Sequence, residues 1–461
     1  MLKIVCPVNH IEERKYIYTV LFREYLGLNY NIYFQDNITN TFITYDGFAI
    51  EIQDVFFNVP ENLWLKPESL PNSNVVYAQY ENIFYGYLGE KNVPIIFGNE
   101  DVQVSNSNVY LGVDIFGSCF FMLSRYEEYV VKNRDKLDRF DYKDSYAYKN
   151  GFLDRPIVNE YVELLWCAIK SICPTAKRRE NNYQVIPTHD IDKPFGILYD
   201  SQWQLLRHFV GDIFYKRGLN TSFKRLKNIF YKFFLPEQLI NQGNEIFDFI
   251  IQSSKKYNLN DVFFFMNSKL SCFDGNYYVD CPSVKALLEK VIEAGHQVGI
   301  HPSYDSYLNP QEIRKECIHM ANVLHSIPNG SLVGGRQHYL RWNNPMTWQA
   351  YEFAGLNMDS TLTFAGHVGF RCGVCYPYTV YDVVNRKPLN VKEMPLIVMD
   401  GTLFEYMHLS QDEALEVCKK LSQRCRRYNG DFVFLWHNTM LYDEGNRAFY
   451  ARLLECIVDG N

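Results

Sequence analysis

Five apolar runs beyond residue 180 end in side chains that can move protons or hold a metal. "YQVIPTHD" leads into His189, Asp190 and Asp192, "HQVGIHP" contains His301, and "LVGGRQH" ends in Arg336 and His338. "LNMDST" carries Asp359 and "DFVFLWHN" carries His437. Histidines and carboxylates gathered round one mouth are what a divalent cation needs. An Asp/His set with an open position describes a catalytic hydrolytic centre. A metal-free acid and base pair is the competing chemistry. Each residue alone also has a plainer reading: a histidine at a strand end is commonly satisfied by hydrogen bonds, and an aspartate there often caps the next helix. Structural residues, however, should scatter over both ends of the strands, and these do not.

The elements that must position them alternate regularly. The strand-like runs are the five above with "DVFFFMN" and "PLIVMDGT". Between most of them lie helical patterns such as "PSVKALLEKVIEAG" and "NPQEIRKECIHMANVLHSI". Strand then helix, repeated, predicts an α/β fold with a parallel (β/α) barrel, whose active site forms where the strand-to-helix loops converge at the carboxyl ends.

Histidine usage divides the chain, because only His10 falls in the first 180 residues. The link "SICPTAKRRENNYQV" marks a boundary near 180. This predicts a smaller N-terminal α/β domain over 1–180, with no recognisable site, and the barrel over 181–461. In the first part "SRYEEY" at 124–129 reads as the charged face of an amphipathic helix, with an interface or a substrate wall as the alternatives. In the second, the basic and aromatic segment 202–235 reads as an inserted helical pair. It is either a solvated face over the barrel or a surface for peripheral contact with an anionic membrane or a phosphorylated lipid carrier.

The totals exclude some classes. With 461 residues, 47% of them hydrophobic, there is material for two cores, and a net charge of -7 offers no basic field for nucleic acid. The N-terminus lacks a basic stretch followed by an apolar one, and no apolar run reaches the length of a membrane span, so the expected location is the cytoplasm. The 12 cysteines are dispersed and read as reduced core thiols. Cys372 and Cys375 in "RCGVC" have a zinc-like spacing, but one such pair alone reads better as a packed loop.

Over roughly residues 183–445 the order and spacing resemble the NodB-type polysaccharide deacetylases, carbohydrate esterase family 4. "THDID" (188–192) resembles that family's Thr-Phe-Asp-Asp motif with the second Asp one place later. "GHQVGIHPSYD" resembles its Gly-His-Glu lead-in and His-Ser/Thr-x-x-His motif. Arg336, Asp359 with Ser360, and Leu435 with His437 stand where its third, fourth and fifth motifs would. The resemblance implies metal-dependent hydrolysis of an N-acetyl, less often an O-acetyl, group on a glycan, with a divalent metal, zinc first. Asp190 would be the general base, His437 the general acid, Arg336 the group that orients Asp190, and Asp359 the partner of the His437 imidazole. Asp192 and His301 would hold the metal. The family's next ligand is a histidine at a position occupied here by Asp305. Three alternatives follow: Asp305 substitutes for it, His338 one strand over completes the site instead, or the metal and the activity are lost. His338, Tyr339 and Trp342 are the expected substrate wall, with aromatic rings as platforms for sugars. His189, standing where the family has Phe, would shape the pocket. The rivals are an inactive carbohydrate-binding or assembly protein on the same scaffold, and a metal-free glycosidase using Asp190 and Asp359.

Overall fold

"VFFFM" is buried at every position, which an isolated amphipathic strand could not be. A continuous apolar strand needs cover on both faces, the condition met in parallel sheets flanked by helices. The computed structural model, which describes residues 1–105, 108–200, 205, 219–268 and 271–460, places this run at the centre of such a sheet.

The N-terminal part is built on β1 (Leu2–Pro7), β2 (Tyr30–Gln35), β3 (Thr41–Tyr45), β4 (Phe48–Ile52), a small ribbon of β5 (Val76–Ala78) and β6 (Val93–Ile95), and then β7 (Gly98–Val104) and β8 (Asn108–Val113). Its main sheet is mixed, in the order β2-β1-β3-β4-β8-β7. The helix Ile157–Ile172 follows, with an apolar face buried against it.

The second sheet holds β9 (Gln184–Ile191), β10 (Val262–Met266), β11 (Gln297–His301), β12 (Leu332–Gly335), β13 (Met358–Asp359), β14 (Tyr378–Asp382), β15 (Lys387–Glu393), β16 (Val398–Met399) and β17 (Asp431–Leu435). Its order is β14-β15-β13-β12-β11-β10-β9-β17-β16. The seven strand-like runs all form strands of this sheet, in parallel pairings. The hairpin β14–β15 is additional, and it is antiparallel.

This sheet curls. Met358 on β13, Met399 on β16, Leu435 on β17 and Ile186 on β9 belong to one small apolar cluster. Strands four places apart in a flat sheet would stand about 19 Å from each other. Among the described residues β14 and β16 share no bridge, so the curl encloses an interior without the hydrogen-bonded ring that a closed barrel would have.

The two parts are tied together by buried charge. Arg371 donates to Glu128 through Nε at 2.9 Å and Nη2 at 2.5 Å, and Arg125 donates to Glu128 and Glu127 at 2.9 Å each. All four side chains are buried. "SRYEEY" is therefore an internal junction and not a solvated helix face, because its charges are matched by an arginine about 240 positions away. Further ties run from Tyr16 to the Thr379 carbonyl and from Glu13 to Arg386. Cys372 and Cys375 are buried in the loop that packs on the helix Ile157–Ile172, where Cys375 N–H donates to Asn159.

Burial works against the charge of Glu128, but Arg371 and Arg125 outweigh it and hold the carboxyl at about 2. Its ionic contribution is thus fully present above the ordinary carboxylate range and is lost as pH falls towards 2. Glu128→Ala leaves two guanidinium groups buried without this partner. The expected cost is about 3–5 kcal/mol in denaturant unfolding at neutral pH; a loss below about 1 kcal/mol would show that the junction does not depend on it.

The basic segment 202–235 lies partly outside the described residues. Its described end is the helix Leu219–Phe234, which exposes Leu226, Phe230, Phe233 and Phe234. Among the described residues no helix is long and apolar enough to cross a membrane.

Candidate active site

Side chains alternate across a strand, so Thr188, Asp190 and Asp192 leave the end of β9 on one side and His189 on the other. Asp190 is buried. Arg336, at the end of β12, donates from Nη1 to Asp190 Oδ1 at 2.9 Å and to Thr188 Oγ1 at 2.8 Å. Its Nε and Nη2 are held by the Ser360 carbonyl and hydroxyl, and its guanidinium lies 4.5 Å from the centre of the Phe264 ring. The arginine thus pins one oxygen of Asp190; the other lies 3.7 Å from His301 Nε2, and Asp190 lines the cavity described below. Although burial opposes its charge, Asp190 is kept below the usual carboxylate range by Arg336 and the nearby His301 and His437.

The backbone at Asp192 is set by a close approach. A Cβ on Gly275 would stand 2.0 Å from the Asp192 carbonyl oxygen, so only glycine fits there. The side-chain Oδ1 of Asp192 is buried without a hydrogen-bond partner, a costly arrangement in the absence of a ligand. It lies 3.5 Å from His301 Nε2 and 3.8 Å from His338 Nε2.

Both histidines present an Nε2 lone pair to it, because in each the other nitrogen is a donor. His301 Nδ1–H donates to the Arg336 carbonyl at 2.6 Å, and His338 Nδ1–H donates to Asp274 Oδ1 at 3.2 Å. Burial lowers the pKa of His301, favouring the neutral ring. A histidine oriented by a carboxylate or carbonyl through its second nitrogen is the usual support of a metal ligand. Ligand atoms of Asp192, His301 and His338 lie within 4.8 Å of one another. The donor set of two imidazoles and one carboxylate fits a zinc-type ion with an open position.

The third member of the group is therefore His338 and not Asp305. Ser303, bound through its N–H and hydroxyl to Glu316, turns the loop after β11, and Asp305 points outward, 67% exposed, towards Arg341 at 3.3 Å. His338 is delivered by a strained turn in which Tyr339 and Leu340 both have left-handed backbones, with φ of 58° and 57°. Two such residues cost of order 1–3 kcal/mol each, a strain found chiefly at functional sites.

On the far side of Asp192, His437 Nε2 lies 4.0 Å from its Oδ2. The His437 Nδ1–H donates to Asp400 Oδ1 at 2.7 Å, and its backbone N–H donates to Asp400 Oδ2 at 2.8 Å. Burial opposes the charge on this imidazole, but Asp400, with Asp192 and Asp190 beyond it, raises its pKa to about 10. The expected partner, Asp359, is elsewhere. It accepts from the Thr361 N–H and hydroxyl, beside Glu393. Burial raises both of these carboxyls, and Glu393 is also repelled by Asp359. Asp359 does not line the cavity, so it is neither the partner of His437 nor half of a glycosidase pair with Asp190.

The cavity is about 250 Å³, lined among others by Asp190, Asp192, His301, His338, His437 and Tyr339. Tyr339 is part-exposed in the cavity's wall. Trp342 is not on that wall. It is buried edge-on against Trp348, 4.7 Å between ring centres, because the turn at 339–340 sends the following chain inward. His189 does not shape the pocket either: it is buried behind the sheet between the Trp436 carbonyl and Asp261. Asp274 and Asp400 are not among the residues that the sequence patterns single out. Asp400 carried a signal, an aspartate at the end of the run "PLIVMD", whereas Asp274 sits in a loop with none.

Fold and site together define a mixed α/β protein with a candidate Asp/His/His donor group that lies between a buried carboxylate and a further imidazole. Residues 2–174 match a family described as "Family of unknown function (DUF7033)". Among solved structures, the chain is similar to a Mycobacterium smegmatis protein described as a polysaccharide deacetylase, with a TM-score of 0.39 and 15% identity, covering 61% of this chain and 85% of that one. It is also similar to the Xyl-CE4 domain of a multidomain xylanase from the hindgut metagenome of Trinervitermes trinervoides, with a TM-score of 0.26 and 10% identity, covering 60% and 83%. Nothing matches among the curated proteins.

Proposed function

We propose that the chain is a metal-dependent hydrolase that removes acetyl groups, N-acetyl before O-acetyl, from a bacterial polysaccharide or its precursor, with zinc as the metal. What supports this reading is one convergence: a carboxylate base held ionised by Arg336, an imidazole acid held protonated by Asp400, and an Asp/His/His donor group between them. Asp192, His301 and His338 would hold the ion. Bound there, it supplies Lewis acidity towards the acetyl carbonyl and makes water more acidic.

The remaining work falls to the chain's own side chains. The free oxygen of Asp190 takes a proton from the attacking water while Arg336 keeps its partner oxygen in place. His437 gives its proton to the amine nitrogen as the C–N bond breaks, so that acetate and a free amine leave. Asp400 fixes the tautomer of that imidazole and compensates its charge. The two groups carry opposite protonation states at neutral pH, as an acid and base pair requires.

The test is acetate release from N-acetylated oligosaccharides by the purified chain, before and after chelation. The expected result is release that stops on chelation and returns with Zn²⁺. Release that is indifferent to chelation would overturn the metal reading. If no acetate is freed from N- or O-acetylated glycans by the zinc-loaded chain, the hydrolase reading fails in favour of an inactive binding protein.

A further inference from the structure

The N-terminal part of the chain reaches the mouth of this site. A second cavity, also about 250 Å³, adjoins the first, the two sharing Arg139, Leu340 and Tyr406. Half of the second cavity's lining comes from the segment 135–143, inside the stretch that matches the family of unknown function. Neither cavity alone reaches the roughly 300–1,000 Å³ of ordinary ligand sites, whereas the two joined do.

The segment is built to hold its position. Asp135 accepts from the Leu137 and Arg139 N–H groups at 2.8 and 2.9 Å and pairs with the Arg139 guanidinium at 2.7 Å. Arg341 Nε donates to the Leu137 carbonyl at 3.0 Å, the Tyr307 hydroxyl donates to Asp138, and Arg139 Nη1 donates to the Tyr339 carbonyl at 3.2 Å. The loop is thus fastened to the same turn that delivers His338. Further out, Tyr142 lies over Gly366, where a Cβ would come within 2.7 Å of the tyrosine ring, and its ring centre is 5.3 Å from that of His367.

We propose that the second cavity is a sugar subsite: when an acetylated ring occupies the metal cavity, the neighbouring ring of the same oligosaccharide binds between Tyr142 and the Arg139–Tyr406 wall. The N-terminal part is then half of the substrate cleft. Charges in the cavity wall balance: Arg139 is paired with Asp135 and Arg371 with Glu128, and the remaining two, Asp141 and Lys143, are of opposite sign. Such a wall offers directed donors and acceptors without a net field, which suits the hydroxyls of an uncharged ring better than an anion. The tyrosine ring supplies the flat apolar face, with little side-chain freedom to lose on binding.

This inference rests on the deacetylase reading, so the experiment separates the two. Acetate release is measured on N-acetylglucosamine and its β-1,4 dimer and trimer, using the full chain, Tyr142→Ala and Gly366→Ala. The original chain should gain at least about tenfold in kcat/KM from monomer to trimer, and each variant should lose most of that gain through KM. Equal rates on monomer and trimer, or variants that lower both alike, would overturn the subsite. If no substrate is hydrolysed, calorimetric binding of the trimer decides. Binding that Tyr142→Ala weakens by about tenfold or more keeps the subsite while the hydrolase reading falls, and no binding sinks the subsite too. Gly366→Ala adds one methyl group to displace the Tyr142 ring, and Tyr142→Ala carries the test alone if that variant does not fold.

Discussion

His338→Ala is expected to purify with far less than the one equivalent of metal that the original chain should hold, whereas Asp305→Asn should keep it. The reason is geometric. His338 Nε2 faces the orphaned Asp192 oxygen at 3.8 Å, while Asp305 is turned to solvent beside Arg341. Removing one of three protein ligands should cost more than removing a group that merely orients a ligand. Asp274→Asn, which weakens the hold on His338 Nδ1, should therefore lower metal affinity by about 10–100-fold, and His338→Ala by more. Competition with a chromophoric chelator measures both. The ranking fails if Asp305→Asn loses metal and His338→Ala retains it.

The second large effect is expected at Asp400. His437→Ala removes the proposed acid and should lower kcat by about 10²–10⁴-fold. Asp400→Asn leaves the ring in place, but removes the charge that raises its pKa to about 10. With that charge gone, the pKa falls towards the ordinary histidine value of about 6.5. The acid must be protonated to act, so activity is lost as pH rises through its pKa, and the alkaline limb of the rate profile should move to lower pH by a unit or more. The loss is thus larger at pH 8 than at pH 6. An unmoved alkaline limb in Asp400→Asn, or one that moves in Asp359→Asn instead, would remove Asp400 from this role.

Strand ends were the legible part of the site. Asp190, Asp192, His301, Arg336 and His437 stand at the carboxyl ends of runs whose burial can be read from their apolar residues, and chain order alone sends those ends to one mouth. Even the failure of His189 to reach the pocket was written in the sequence, because period-two alternation puts it on the opposite face from Asp190 and Asp192. The loops were not legible in this way. Asp305 follows His301 at the spacing of the family's second histidine, but that spacing brings two side chains together only if the intervening loop turns suitably. Here Ser303 is held by Glu316, and the turn carries Asp305 outward.

The same distinction separates the two aspartates. Asp359 and Asp400 both end strands, and nothing local tells them apart. The difference lies in sheet order: β16, which leads into Asp400, pairs with β17, which leads into His437, whereas β13 lies between β12 and β15 on the other side of β9. Pairing order is a property of the whole sheet.

By itself, then, the sequence determined the repeated strand and helix alternation, the clustering of reactive side chains at the carboxyl ends, and the projection of Asp190 and Asp192 to one face of "THDID" with His189 on the other. Each of these depends on periods and neighbours within a few residues. Tertiary structure alone decided that His338 completes the donor group, that Asp400 serves His437, and that Arg139 stands at the mouth. Those positions depend on contacts whose meeting no local pattern encodes, from His437 with Asp400, 37 positions apart, to Arg139 with Tyr339 and Glu128 with Arg371, about 200 or more apart.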